Sequence, residues 1–264
     1  MSNDSTNTNP LLQTRALSLS IAERKICTEL SLQLPAGQCL GILGQNGTGK
    51  TTLLHTMMRL RQPDAGEILL CAKPLAAWEQ KALAQQLGIL FQNTNDIMPA
   101  TVLETTLIGR HPHLADWQWE KKADLALAQQ ALSEVGIAEL ANRDISTLSG
   151  GERQRLAIAT LLTQEPRLFL LDEPGNHLDI AFQIQSLNLL RNHIEKRQCA
   201  LVMATHDINL AARNCEQILL LYGEGEYELG KCGDVLTAQN LSRAFDCEIR
   251  EFEIEKGRSV FFPA

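Results

Sequence analysis

The stretch from Gly44 to Thr51 has the residue types and spacing of a phosphate-binding loop. Its sequence, GQNGTGKT, fits the pattern G-x-x-x-x-G-K-[ST] and lies between an apolar run, Gln38–Leu43, and a helical run, Thr51–Leu60. Glycines let backbone N–H groups curl around phosphate oxygens, and the start of the following helix adds partial positive charge. The pattern predicts that Lys50 contacts the β- and γ-phosphates of a nucleotide and that the Thr51 hydroxyl ligates Mg²⁺. This context disfavours the alternative, a glycine-rich turn that binds nothing.

Two carboxylates, Asp172 and Glu173, follow the apolar run Leu168–Leu171. Ligands of open parallel sheets bind at the carboxyl ends of the strands. We therefore expect Asp172 to hold the Mg²⁺ of a bound nucleotide and Glu173 to polarise an attacking water. An apolar run ending in Asp-Glu is by itself more often a solvated strand end, so the phosphate loop upstream is what favours a site here.

A third segment, Leu148–Gln154, reads LSGGERQ and precedes the helical run Arg155–Gln164. Ser149 offers a hydroxyl, and Gly150 and Gly151 offer unhindered amides at the start of a helix, which together suit a phosphate. One nucleotide needs one such cradle, so a second one suggests docking onto ATP that another copy holds. The alternative, that Ser149 only caps its helix, explains the serine but not the Gly-Gly-Glu-x-Gln that follows.

The elements that position these residues are short apolar runs, several of them nearly continuous in apolar residues. This is typical of a mainly parallel sheet that helices cover on both faces. The predicted strands are Gln38–Leu43, Glu67–Cys71, Leu87–Phe91, Leu168–Leu171, Ala200–Ala204 and Gln217–Tyr222.

Between these runs and after them, the spacing predicts further elements. Helical spacing at Thr101–Gly109, Glu120–Val135 and Gly150–Gln164 predicts an all-helical insertion between Phe91 and Leu168. The tail from Asp234 has one helical run and two β-like runs, and no chemistry is evident in it. Those tail runs are Val235–Phe245, Glu248–Glu255 and Ser259–Phe262.

The composition describes an ordinary globular chain. Its 264 residues are 44% hydrophobic with a net charge of −7, which excludes disorder as the main state and disfavours a dominant nucleic-acid role. No apolar run approaches the roughly 18–20 residues that cross a bilayer. Residues 1–10 are polar and are expected to be a disordered leader rather than a secretory signal. The seven cysteines form no C-x-x-C pair, which predicts reduced thiols in a cytoplasmic protein.

The segment LSGGERQ resembles the signature sequence of ABC-type ATPases, and three further motifs of that family occur with it in the expected order along the chain. These are Gln92 in Phe91-Gln92 as the Q-loop, Asn-His-Leu-Asp at 176–179 as the D-loop, and His206 in Ala-Thr-His-Asp as the switch histidine. The resemblance spans roughly residues 15–245. It implies an α/β P-loop NTPase fold with a mainly parallel, helix-covered sheet, an N-terminal antiparallel β portion and an inserted α-helical subdomain. We expect a single domain over 11–264, with the helical subdomain at about 93–165 and a C-terminal tail from about 234.

The resemblance also implies a role for each matching residue. ATP phosphates and Mg²⁺ would be bound by Gly44, Asn46, Gly47, Gly49, Lys50, Thr51 and Thr52, with Gln92 and Asp172 as further Mg²⁺ contacts. The signature residues Ser149, Gly150 and Gly151 would cap the γ-phosphate of ATP held by the opposite protomer. Glu173 would be the catalytic base, His206 would steady the γ-phosphate and the water, and Asp179 would couple the two sites.

Closer matches point to a subfamily of importers. EPGNHLDI at 173–180 resembles the EPTNHLDI stretch of iron–siderophore, haem and cobalamin importers, with Gly175 where Thr is usual, and GRHPH at 109–113 also resembles that group. This implies a homodimer that closes around two ATP molecules and drives transmembrane permease subunits from the cytoplasmic face of the inner membrane. A periplasmic substrate-binding protein would take part indirectly, and nucleic acid is not expected as a partner. His111 and His113 are interpreted as part of a surface loop rather than a metal site.

Three other functions are left open by these residues. The nearest is an export ATPase, which the NHLDI match disfavours. A soluble ABC-type ATPase acting on nucleic acid or ribosomes usually carries two cassettes or a long coiled-coil insertion, and this chain has neither. A nucleotide-gated module that hydrolyses poorly is disfavoured by the retention of Lys50, Glu173 and His206.

One position departs from the family pattern. The family places an aromatic residue before the loop to stack on adenine, but residues 1–77 contain no Phe, Tyr or Trp, and the matching position is Ile21. Base stacking contributes about 1–3 kcal/mol in other systems. We expect Arg15 or Arg24 to stack instead, with modest ATP affinity and some tolerance of GTP.

Overall fold

The computed structural model describes residues 10–91, 99–115, 117–174, 180–255 and 258–264. The strands are β1 (Leu12–Ile21), β2 (Arg24–Leu34), β3 (Cys39–Leu43), β4 (Ala65–Leu70), β5 (Lys73–Pro74), β6 (Leu87–Leu90), β7 (Leu168–Asp172), β8 (Ala200–Thr205), β9 (Gln217–Gly223), β10 (Glu226–Lys231), β11 (Ile249–Glu255) and β12 (Arg258–Pro263). The helices are α1 (Lys50–Met57), α2 (Gln80–Gln86), α3 (Val102–Leu107), α4 (Lys122–Glu134), α5 (Gly150–Gln164), α6 (Ile180–Arg197), α7 (Ile208–Asn214), α8 (Cys232–Val235) and α9 (Ala238–Phe245). Short 3₁₀ helices lie at Leu75–Ala77, Ile108–His113, Ala138–Leu140 and Ile145–Thr147.

Two large sheets form the body of the molecule. One is antiparallel with the strand order β2-β1-β4-β5, and the other has the order β10-β9-β3-β8-β7-β6. In the second sheet all neighbours pair in parallel except β9 with β10. The predicted mainly parallel sheet and the N-terminal antiparallel portion are therefore confirmed.

The central strands of the parallel sheet explain its apolar runs. Every residue of β3, β7 and β8 is buried. Alternate side chains of these strands point to opposite faces, so that Leu170 belongs to the core beneath α1 and the antiparallel sheet, whereas Phe169 and Leu171 belong to the core beneath α5 and α6. Because β3, β8 and β7 are adjacent and parallel, the residues that follow them meet at one edge of the sheet.

Two predicted helices differ from the observed ones. The run Thr101–Gly109 is helical only over Val102–Leu107 and continues as the 3₁₀ helix Ile108–His113. Pro112, inside this 3₁₀ segment, has no N–H to donate to a continuing α-helical ladder. The run Val235–Phe245 is two helices, because the Thr237 side chain accepts a hydrogen bond from the Asn240 N–H and starts a new helix there.

In the described residues between β6 and β7, the chain forms helices joined by loops, with one isolated β-bridge between Thr101 and Asp144 and no strand. The bounds of about 93–165 for a helical subdomain stay a prediction, as do the single domain over 11–264 and the leader at 1–10. Within the described ranges, no helix combines the length and the apolar character that a membrane crossing requires.

Candidate nucleotide-binding site

The backbone conformation of the phosphate loop and its close neighbours require glycine at several positions. Gly44, Gly47 and Gly49 have positive φ angles of 153°, 80° and 102°. A Cβ on Gly49 would lie 2.6 Å from Ile26, and one on Gly44 would lie 2.7 Å from the Thr48 hydroxyl. Any other residue at position 44 or 49 would meet both backbone strain and a collision, and at position 47 it would meet the strain alone.

Helix α1 starts at Lys50, directly behind this loop. No side chain caps its N-terminus, so the first-turn N–H groups and the positive end of the helix dipole face the loop. Lys50 is buried, and its ammonium donates to the carbonyls of Gly44 at 2.9 Å and Gln45 at 3.1 Å. Burial lowers the pKa of Lys50, although the nearby carboxylates of Glu173 and Asp172 act in the opposite direction. A phosphate would therefore find a buried cation at the centre of the loop, with the Glu173 carboxylate 3.7 Å from it.

Two oxygen ligands meet beside the lysine. The Thr51 hydroxyl lies 3.1 Å from Asp172 Oδ1, and Asp172 is 5% exposed. Burial raises the pKa of Asp172, and its hydrogen bond from Thr51 only partly offsets this. A buried carboxylate next to a hydroxyl is an oxygen donor set that suits Mg²⁺, and the cation would relieve the cost of burying the anion. The residues present thus fit the predicted metal.

Glu173 is held in an unusual backbone conformation. Its φ is 49°, in the left-handed region that glutamate rarely adopts, and its N–H donates to the Ala204 carbonyl at 2.9 Å. Its carboxylate lies 2.8 Å from His206 Nδ1 and 3.7 Å from Lys50 Nζ. Backbone strain of this kind is often found at functional sites, where the surrounding structure maintains it. In this conformation the Glu173 carboxylate contacts both the histidine and the lysine.

All of these side chains except Asp172, which contacts Thr51 from behind the lining, surround one pocket of about 290 Å³. The pocket brings together residues from the end of β1, the phosphate loop, α1, the end of β7 and the end of β8. It is lined by Ile21, Asn46, Gly47, Gly49, Lys50, Thr51, Thr52, Glu173 and His206. The predicted residues Gln92 and Asp179 lie outside the described residues.

The part of the pocket where adenine is expected is open to solvent. Ile21 lines the pocket and is 42% exposed. Arg24 lies beside the loop: its guanidinium would be 3.9 Å from a Cβ on Gly47. The same guanidinium is 3.7 Å from the Glu224 carboxylate. Arg15 does not line the pocket.

The interpretation of Arg15 as a stacking residue is corrected by its surroundings. Its guanidinium lies 3.1 Å from Glu67, opposite it on β4. Strand pairing holds the two residues side by side, which leaves Arg24 as the arginine beside the nucleotide pocket.

The signature segment lies apart from this pocket. Ser149 Oγ accepts from the Glu152 N–H at 3.3 Å, and the Glu152 carboxylate accepts from the Ser149 N–H at 2.7 Å. This capping box explains both the serine and the glutamate, which corrects the interpretation that capping accounts for the serine alone. It does not explain Gly150 and Gly151, since a Cβ on either would meet no atom within 4 Å.

Two surface histidines have ordinary surroundings. His113 Nε2 lies 2.8 Å from the Gln164 carbonyl, and His111 is exposed. In the part of the chain that the structure describes, no group of three or more His, Cys, Asp or Glu side chains is placed to hold a metal.

The C-terminal tail has a role that the sequence interpretation missed. Asn209 on α7 exchanges two hydrogen bonds of 2.9 Å with the Phe261 backbone. The tail therefore packs beside His206, which precedes α7. The aromatic residues near the C-terminus were the available signal for such packing, but their partner is 52 residues away along the chain.

Comparison with known proteins decides the family. The family model described as "ABC transporter" matches residues 27–176. The chain belongs to this family. As an ABC transporter ATPase it is 38% identical to the petrobactin import ATP-binding protein of Bacillus anthracis, over 90% of this chain and 88% of that protein. It is 36% identical to the hemin import ATP-binding protein of Escherichia coli O157:H7, over 90% of this chain and 93% of that protein.

A solved structure extends the similarity to the fold. A putative metal-chelate type ABC transporter in an inward-facing conformation matches with a TM-score of 0.84 and 28% identity, and the match covers 97% of this chain and 98% of that one. The predicted P-loop ABC ATPase fold is confirmed. The roles of the individual site residues stay predictions.

Proposed function

We propose that this ABC ATPase hydrolyses ATP to power an importer of a metal chelate or a corrinoid. The observation that carries the chemistry is the single pocket in which Lys50, the Thr51–Asp172 pair and the Glu173–His206 pair converge. The similarity to petrobactin and hemin import proteins supports the cargo class. Within that similarity, the EPGNHLDI segment resembles the siderophore, haem and cobalamin group and supports the same cargo class.

Phosphate binding is the first task of the pocket. The uncapped start of α1 and the loop amides would receive the phosphate oxygens, and Lys50 would exchange its contacts with the loop carbonyls for contacts with the β- and γ-phosphates. Thr51 and Asp172 would hold Mg²⁺, with Gln92 as a further proposed contact. Bound Mg²⁺ supplies charge neutralisation for the phosphate oxygens.

Proton transfer falls to Glu173. Its carboxylate is 9% exposed and faces the pocket, where it would accept a proton from the attacking water. His206, 2.8 Å from Glu173, is placed to orient the carboxylate and to steady the γ-phosphate and the water. Asp179 is proposed to couple the two sites of a dimer.

The second half of the ATP site is proposed to come from another copy. Ser149, Gly150 and Gly151 lie outside the pocket of their own chain, and the two glycines face open space. The Ser149 hydroxyl accepts from Glu152 but keeps its own proton, so it can still donate to a γ-phosphate. Two copies would thus close head to tail around two ATP molecules, each bound by the loop of one copy and the signature segment of the other.

The importer also implies partners and a location. We propose that the ATPase works on the cytoplasmic face of the membrane, attached to transmembrane permease subunits that receive a periplasmic binding protein. No nucleic-acid partner is proposed. At the base end of the pocket, Ile21 and Arg24 replace aromatic stacking, and we propose modest ATP affinity with some tolerance of GTP.

Replacing Glu173 by Gln tests the chemistry. The amide keeps the shape but cannot take a proton, so we expect ATP turnover to fall by about 10²- to 10⁴-fold while ATP binding persists. Turnover is measured by phosphate release, and binding by equilibrium dialysis of labelled ATP with Mg²⁺. Unchanged turnover would contradict the assignment of Glu173 as the base.

Isolation of partners tests the transport role. The chain is purified from detergent-solubilised native membranes, and co-purifying proteins are identified by mass spectrometry. We expect a many-helix permease, together with a binding protein that can then be screened for siderophore, haem or cobalamin binding. Recovery of ribosomes or nucleic acid without a membrane protein would contradict the proposal.

A further inference from the structure

The tail hairpin, β11 and β12, is fixed to the nucleotide-binding part of the molecule. Its inner face places Ile249 and Phe261 in the main core, and Asn209 on α7 holds the Phe261 backbone through both its amide oxygen and its amide nitrogen. Helix α7 starts two residues after His206. The hairpin therefore has a fixed position relative to the switch histidine.

The outer face of the hairpin carries three uncovered apolar side chains, next to the exposed Arg250 that pairs with Phe262. Phe252, Ile254 and Phe262, which we call the hairpin patch, are 52%, 65% and 52% exposed. The rings of Phe252 and Phe262 contact each other edge to face, with their centroids 6.2 Å apart. Adjacent exposed apolar side chains of this size are typical of a surface that another molecule covers.

A cavity connects this patch to the ATP site. Its volume is about 470 Å³, larger than the nucleotide pocket, and one wall is apolar and belongs to the tail. Phe262 belongs to that wall and to the hairpin patch. The opposite wall includes Asn46 and His206, which also line the nucleotide pocket. The apolar surface is thus continuous with the face that presents the bound nucleotide.

We propose that the hairpin patch and this cavity form a contact surface for a second copy of the same chain, alongside the ATP site. The inference rests on the proposed function, in which the partner's signature segment approaches the face that carries Asn46 and His206. A copy that docks there also faces the adjoining cavity wall and the patch. Two-fold symmetry buries the patch of each copy in the same event, so the tail adds an apolar contact that does not depend on the nucleotide itself.

Sedimentation of a trapped dimer tests the surface. The parent protein carries Glu173→Gln and is loaded with Mg²⁺ and ATP, and the test variant adds Phe252→Ser and Ile254→Ser. The matched control adds Leu60→Ser and Ile108→Ser, which alter equally exposed apolar side chains at 65% and 51% exposure outside the hairpin. We expect the dimer dissociation constant to rise about tenfold in the hairpin variant and to stay unchanged in the control. Equal dissociation constants in the hairpin variant and the parent would overturn the inference.

The native thiol of Cys247 provides a second readout that needs no change to the hairpin. Cys247 is the exposed cysteine of the chain and lines the cavity. Its alkylation by a maleimide, followed by peptide mass spectrometry, is expected to slow about fivefold when the parent protein dimerises with ATP. The slowing should require protein concentrations at which the dimer sediments. An unchanged rate in the dimer would overturn the inference and assign the surface to another occupant, such as the permease or a small apolar ligand.

Failure of the composite ATP site and failure of the hairpin contact give different results. If the parent protein binds ATP but never dimerises, the composite ATP site of the proposed function is wrong, and the inference is overturned with it. If the parent dimerises while Cys247 stays equally reactive and the hairpin variant dimerises equally well, only the inference is wrong.

Discussion

The starts of helices α1 and α5 both have a sequence that suits phosphate binding, yet their local structures differ. At α1 no side chain caps the helix, and the glycines before it are enforced by collisions within the chain, such as the 2.6 Å approach of a Gly49 Cβ to Ile26. At α5 the capping box of Ser149 and Glu152 completes the helix end, and Gly150 and Gly151 meet nothing. The first helix start leaves a cradle open inside its own chain, whereas the second is complete within its own chain.

The difference between the two helix starts shows two separate reasons for a glycine in the sequence. In the phosphate loop the fold itself needs the missing side chain. In the signature segment the fold would tolerate a side chain, and a glycine in a helical position even costs about 0.5–1 kcal/mol relative to alanine. If Gly151 is needed, the need therefore comes from something that approaches from outside the chain.

A pair of glycine-to-alanine variants gives the largest expected contrast. Gly49→Ala forces a side chain into a left-handed backbone against Ile26, so we expect the free energy of unfolding to fall by about 2 kcal/mol and ATP binding to be lost. Gly151→Ala is expected to raise the unfolding free energy by about 0.5 kcal/mol and to leave ATP binding intact while turnover falls. Urea denaturation and ATP dialysis measure these effects. A destabilising Gly151→Ala would remove the contrast between the two helix starts.

The buried carboxylate at the loop sharpens the same comparison. Burial raises the pKa of Asp172 above its ordinary value near 3.8, so the folded state binds this proton more tightly than the unfolded state does. Folding stability is therefore lost as the pH rises through the raised pKa of Asp172, and at pH 7 the ligand-free Asp172→Asn variant should be more stable than the native chain. The gain should shrink as the pH falls towards 4. The variant should also lose the extra stabilisation that Mg²⁺ gives to the ATP-bound chain, and a destabilised ligand-free variant would contradict this account.

The smallest expected effect is on nucleotide affinity, from a substitution at the end of the pocket that would hold the base. Arg24→Ala removes the cation beside Gly47, and we expect ATP and GTP affinities to fall about threefold to fivefold, in line with a cation–π contact of about 0.5–1 kcal/mol. Arg15→Ala is the matched control, since Arg15 pairs with Glu67 on the neighbouring strand. Inorganic tripolyphosphate, which has no base, should bind Arg24→Ala as well as it binds the native chain. Equal losses for tripolyphosphate and ATP would place Arg24 at the phosphates instead.

The regions best predicted from the sequence are those where the structure allows few residue types at each position. Strands β3, β7 and β8 were predictable because they are buried on both faces and therefore apolar throughout. The phosphate loop was predictable because its glycines, Lys50 and Thr51 occur at fixed spacing. The family, fold and ATPase class predicted from these motifs are confirmed.

Contacts between distant parts of the chain could not be predicted. Nothing near Asn209 or Phe261 in the sequence indicates that they bond to each other, so the tail was interpreted as having no chemistry. The double role of Ser149 and Glu152 was readable, because Ser-x-x-Glu is the pattern of a capping box. The left-handed backbone of Glu173 had no sequence signal, since it depends on the neighbouring strand β8.

The most direct test of a shared ATP site is the association state of the Glu173→Gln chain with and without Gly151→Arg, measured by sedimentation with Mg²⁺ and ATP. A side chain at position 151 meets no atom within 4 Å of its Cβ, so the arginine should leave the monomer folded and able to bind ATP. We predict that Glu173→Gln dimerises on adding ATP and that the Gly151→Arg form binds ATP but stays monomeric. Dimerisation of both forms with equal affinity would contradict a site completed by the signature segment of a second copy.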